Sequence, residues 1–111
     1  MSATIQLEAV RGENFEGIGT HKDPAGAIVD ISGWTIMFTA RKTLNYGPPD
    51  IEKACVIISG TNGRYNIVFT SAETRLMDPF SYFCDIWRVD DGYEAQMAQG
   101  TFMVKKGVRF L

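Results

Sequence analysis

At 111 residues, 45% hydrophobic and 12% aromatic, the chain has the length and composition of one globular domain, residues 1–111, around a single core. A formal charge of −2, from 11 basic residues scattered among 13 acidic ones, argues against a nucleic-acid partner, which requires clustered Lys and Arg. No apolar run approaches the roughly 20 residues of a membrane-spanning helix. Residues 1–4 lack the basic start and apolar stretch of a signal peptide, so synthesis in a cytoplasm is expected. With one histidine and two cysteines, Cys55 and Cys84, a zinc centre lacks ligands, no cofactor is expected, and free thiols are the expected state in a reducing compartment.

In chain order, Ile5, Leu7 and Ala9 alternate with Gln6 and Glu8, predicting an opening strand over residues 4–11 that stops at Gly12-Glu13-Asn14. Residues 15–20 also alternate but contain Gly17 and Gly19, which predicts weak pairing: an irregular edge, or the first strand resumed after a bulge. Asp23-Pro24-Ala25-Gly26 has the composition of a turn. A short strand is expected over residues 27–32.

The stretch from Gly33 to Lys42 reads as the central strand, with Trp34, Ile36, Phe38 and Ala40 on a buried face and Thr35, Met37, Thr39 and Arg41 on the other. Trp34 is expected in the core. Pro48 and Pro49 place a surface loop at residues 45–50. One strand is expected over residues 51–59, apolar on both sides near its end, with Ala54, Val56 and Ile58 opposite Cys55 and Ile57. Asn62-Gly63 closes a hairpin into a returning strand with Tyr65, Ile67 and Phe69 inward. Residues 71–77 allow one or two helical turns before Asp78-Pro79. A strand over residues 80–90 puts Tyr82, Cys84, Ile86 and Arg88 on one face. Asp90-Asp91-Gly92 turns into a last strand over residues 93–106, with Gly100 as a bulge or close approach.

About seven short strands and one short helical turn, without a βαβ rhythm, predict an all-β fold: an antiparallel immunoglobulin-like β-sandwich, with a small barrel as the alternative. The expected core is Trp34, Ile36, Phe38, Ile67, Phe69, Tyr82, Cys84 and Ile86.

The run Val29-Asp30-Ile31-Ser32-Gly33-Trp34-Thr35-Ile36-Met37-Phe38-Thr39-Ala40-Arg41-Lys42 resembles the D-L-T-G-W-T-V-x-F-T-A-K-K signature of small bacteriophage domains like the N-terminal domain of baseplate upper proteins. The downstream order is similar as well, through Gly60 to Gly63, Phe69 to Thr74, Tyr82 to Ile86, and Gly100-Thr101-Phe102-Met103-Val104 against a final G-T-F-x-V strand. The resemblance implies a phage tail or baseplate structural protein, found in the virion and made in the host bacterial cytoplasm, with other phage structural proteins as partners. Baseplate upper proteins run on into fibre-forming segments, whereas this sequence stops at Leu111, which leaves open an independent small virion protein.

Candidate chemistry is sparse. His21, next to Lys22, reads as a solvated loop histidine without a nucleophile to serve. Asp90 and Asp91 read as turn residues before a calcium site, and Asp85 as a solvent-facing carboxylate paired with Lys or Arg across the sheet. Trp87, Tyr93, Tyr46 and Phe83 suit a sugar platform if two or more rings lie coplanar on one face, which keeps a carbohydrate-binding or host-surface-binding module as the alternative function. The leading expectation is a non-enzymatic module that self-associates, without nucleic acid or membrane. Its candidate interface is Phe15 and Ile18 of the glycine-weakened edge with the apolar tail Val108, Arg109, Phe110 and Leu111, Lys106 adding rim charge.

Overall fold

A computed structural model describes residues 3–44, 47–90 and 92–107. Its elements are β1 (Ala3–Val10), β2 (Phe15–Thr20), β3 (Ile36–Arg41), β4 (Ile51–Ala54), β5 (Val56–Ser59), β6 (Arg64–Phe69), α1 (Ser71–Arg75), β7 (Phe80–Asp90) and β8 (Tyr93–Lys105). The strands form two sheets, ordered β1-β8-β7-β3-β4 and β2-β6-β5, so the all-β sandwich expected from the alternation patterns is what forms. β2, β6 and β5 facing a sheet built on β3, β7 and β8 is the strand distribution of an immunoglobulin-type sandwich, with β4 added beside β3 as in variable-type domains. Pairing is antiparallel except between β1 and β8, which run parallel with Ile5 opposite Gly100 and Ala9 opposite Val104.

Alternation explains the core. Ile36, Phe38 and Ala40 face the opposite sheet, as do Tyr82, Cys84 and Ile86 on β7 and Tyr65, Ile67 and Phe69 on β6, and all are buried. Phe38 and Phe102 meet edge to face at 5.4 Å between centroids, and Phe69 packs against both rings. At the entry to β7 the Tyr82 hydroxyl donates to the Asp78 carbonyl at 2.7 Å, the tyrosine corner of immunoglobulin-type domains, two residues before Cys84. Helix α1 is short because Pro79 follows closely. Thr70 and Glu73 form a capping box at its start, with Glu73 N–H donating to Thr70 Oγ1 at 3.2 Å and Thr70 N–H donating to Glu73 Oε1 at 2.9 Å.

Several elements depart from expectation. Trp34 precedes β3 and is half-buried at the rim of the core, because Gly33 takes a left-handed φ of 79° and the extended pairing is entered only after it. Residues 27–32 form no strand. The Asp30 carboxylate accepts the Ser32 N–H at 2.8 Å, closing a local turn, and only an isolated bridge joins Lys22 to Ile28. The single strand expected over residues 51–59 is two: the chain leaves the larger sheet at Cys55, whose N–H still donates to the Ile36 carbonyl at 2.9 Å, and enters the smaller one as β5.

β2 is a regular strand in full register with β6, and its glycines make room for rings. A Cβ on Gly19 would lie 2.6 Å from the Tyr65 ring, and one on Gly17 would lie 3.2 Å from Phe15. The bulge in β8 falls at Met97, between the pairs Ile86–Ala98 and Trp87–Gln96, whereas Gly100 is the close approach, since a Cβ there would sit 1.8 Å from the Ile5 carbonyl oxygen.

Candidate assembly surface

The outer face of the smaller sheet exposes apolar side chains from all three of its strands. Ile18 is 55% exposed, Val56 57%, Ile58 47% and Val68 36%. Ile18, Asn66 and Val56 align across the sheet, with Glu16 opposite Val68 at one end and Thr20 opposite Arg64 at the other. Asn66 Nδ2 donates to Glu16 Oε2 at 2.9 Å, while Asn66 Oδ1 is buried and has no hydrogen-bond partner among the described residues. The alternation that sinks Tyr65, Ile67 and Phe69 into the core leaves these side chains outside.

Phe15 does not join Ile18 on this surface. Odd positions of β2 face inward, and its ring packs on Phe69 at 6.2 Å and on Phe102 at 5.5 Å. Lys106 is exposed beyond the end of β8. Val108, Arg109, Phe110 and Leu111 lie outside the described residues, as do Tyr46 and Asp91.

The outer face of the larger sheet is more polar. A groove of about 330 Å³ runs between Phe83, Asp85, Gln99, Thr4, Arg41 and Leu44. Asp85 accepts hydrogen bonds from the hydroxyl of Thr39, its cross-strand neighbour, and from Trp87 Nε1 at 2.8 Å, so its partners are a hydroxyl and an indole in place of the Lys or Arg expected. Phe83 and Trp87 share this face but stand four residues apart on β7, and Tyr93 belongs to a different cluster. The rings of that expected platform are therefore split between two places.

That second cluster closes one end of the sandwich. The Arg88 guanidinium lies 3.9 Å from the Trp34 ring centroid and 4.4 Å from that of Tyr93, and its Nε donates to Asp90 Oδ2 at 2.6 Å. Asp90 Oδ1 accepts the Thr35 N–H at 2.6 Å. This backbone donor, and after it Arg88, holds the Asp90 carboxyl below the usual carboxylate range. His21 also packs against Trp34, at 5.5 Å between centroids, and is partly buried, so it is not the solvated loop residue expected, and burial lowers its pKa.

Among the described residues no group of three or more His, Cys, Asp or Glu is placed to hold a metal, and no helix is long and apolar enough to cross a membrane. Cys55 and Cys84 are free thiols, and burial pushes both to about 12.

Strand order, tyrosine corner and core make this domain an immunoglobulin-type β-sandwich. Its fold is similar to that of the N-terminal domain of phage TP901-1 ORF48, with a TM-score of 0.56 and 10% sequence identity over 90% of this chain and 84% of that one. The sequence matches no protein-family model and no curated protein.

Proposed function

We propose that the chain is a non-enzymatic structural module of a phage tail or baseplate, acting in the virion by self-association and by docking to other phage structural proteins. The observation that carries this reading is the exposed apolar face of the small sheet beside a strand edge that is unpaired among the described residues, on a fold shared with a phage domain. The tail residues Val108, Arg109, Phe110 and Leu111 belong to the proposal as a second contact, with Lys106 and Arg109 setting register more than affinity. Mass spectrometry of purified particles should find the chain at fixed stoichiometry, and cross-linking within them should join it to neighbouring virion proteins. A chain confined to the soluble lysate would overturn the reading. Removal of residues 107–111 should lower the assembled mass if the tail contributes.

A second reading, a carbohydrate-binding or host-surface-binding module, draws on the groove where Phe83 is 47% exposed beside Gln99 and Arg41. Polysaccharide that quenches or shifts Trp87 fluorescence, with loss of the change in Phe83→Ala, would favour it over the first reading.

A further inference from the structure

Among the described residues, strand β2 borders β6 on one side and no strand on the other. His21 donates its N–H to the Gly63 carbonyl at 2.8 Å, which sets the parity of the ladder. With Gly19 opposite Tyr65 and Gly17 opposite Ile67, the odd-numbered residues turn their peptide groups toward β6. Glu16, Ile18 and Thr20 therefore aim their N–H and C=O groups out of the open edge, and their side chains lie exposed on the outer face. Protein edges are commonly blunted by lysine, proline, a bulge or shortness. β4 and β5 have four residues each, β5 also carries a register shift, and β1 holds Glu8 in an ion pair with Lys105 at 3.1 Å. β2 has six residues in unbroken register and, apart from the charge of Glu16, none of these devices.

We infer that this edge pairs with β2 of a second copy of the chain, antiparallel about a two-fold axis through Ile18. The inference rests on the self-association proposed above and names its surface. The local sequence is symmetric where the axis falls, because Gly17 and Gly19 flank Ile18 and bring no side chain into the junction. Glu16 comes to lie opposite Thr20 of the second copy, whose sheet neighbour is that copy's Arg64, so opposite charges meet on both sides of the axis. The two Ile18 side chains meet on the axis. Each copy's three outward residues donate and accept one hydrogen bond apiece, and the product is a continuous six-stranded sheet, β5-β6-β2-β2-β6-β5. The two-fold closes the contact, leaving no β2 edge for further growth.

The test is one of register. Directly hydrogen-bonded antiparallel partners hold their Cα atoms about 5.5 Å apart, inside the roughly 4.4–6.8 Å that a disulfide spans. Mild oxidation of Ile18→Cys should yield a covalent dimer. Glu16→Cys mixed with Thr20→Cys should yield the mixed dimer, and neither alone should react, while Cys55 and Cys84 stay silent because they are shielded and protonated. Light scattering should give twice the 12.4 kDa of one chain for the native protein and the single mass for Ile18→Lys, which sets two like charges on the axis. A doubled mass that survives Ile18→Lys, or that comes without the Ile18→Cys crosslink, would overturn the edge and leave self-association standing. A monomer throughout would sink both, whereas detection in particles tests the virion assignment independently.

Discussion

The guanidinium of Arg88 is stacked on the ring of Trp34, 3.9 Å from its centroid, and this contact ties the segment before β3 to the far end of β7. A cation held over an indole contributes roughly 0.5–2 kcal/mol according to its exposure. A double-mutant cycle on Trp34→Leu and Arg88→Met, followed by urea unfolding, should give a coupling of about 1 kcal/mol. Phe38→Ala, at a fully buried position, should cost ~3–5 kcal/mol, more than Trp34→Ala at the half-buried rim. Equal losses at the two positions would place Trp34 in the core after all.

Gly100→Ala should detach β1. The new Cβ would occupy space 1.8 Å from the Ile5 carbonyl oxygen, and that obstacle is backbone, which no rotamer change relieves. The expected loss is about 1–3 kcal/mol, with amide exchange faster across residues 4–10 than in β3 or β6. Uniform acceleration over all strands would contradict a local effect.

Stability should fall on mild acidification through the chain's one histidine. Burial lowers the His21 pKa below its ordinary 6.5, so the unfolded chain binds this proton more readily than the folded one, and stability is lost as pH drops through 6.5. The carboxyls of Asp78, Asp90 and Glu73, held low by Lys42, by the Thr35 N–H and by Lys53 respectively, act in the same direction only at more acid pH. The melting temperature should therefore drop between about pH 7.5 and about pH 5.5 in the native chain and stay level over that range in His21→Gln. A drop of the same size in both would assign it to other groups.

Both cysteines should resist alkylation in the folded state and react on unfolding. Thiols pushed to about 12 carry almost no thiolate at pH 8, and Cys84 is also buried. Iodoacetamide mass spectrometry without reductant should show no adduct on the native protein and two on the denatured one. A denatured chain that takes up no reagent would reveal a disulfide.

Period-two patterning was readable wherever one face of a strand is buried and the other wet, which is why β6 and β7 were found with their inward residues. It failed where the environment changes within one run. Residues 51–59 are apolar on both sides only near their end, where Cys55 and Ile57 turn inward while Val56 and Ile58 stand exposed on the outer face. Because the inward parity continues unbroken through the passage between sheets at Cys55, alternation does not register that crossing. Around Asp30 three apolar residues imitated a strand, although an aspartate turn and the left-handed Gly33 hold the chain out of either sheet. Gly17 and Gly19 signalled weakness in isolation, but their meaning depends on the Phe15 and Tyr65 rings they admit. Of the candidate interface, Ile18 was recognisable as an outward position, whereas Phe15 has the opposite parity and lies inside. The tyrosine corner carried a usable signal, a tyrosine four residues after Asp78 and two before Cys84, and it would have identified β7 within the sandwich.

The parallel union of β1 with β8 also decides how the domain would carry a mechanical load. Ala3 lies beside Ala98 and Val10 beside Lys105, so the start of the first strand and the end of the last point toward opposite poles. A pull between those poles slides the two strands along one another and stresses every cross-strand bond of the pair at once, whereas peeling would break them one after another. Clamped in this way, the sandwich resists extension along its length with its outermost ladder.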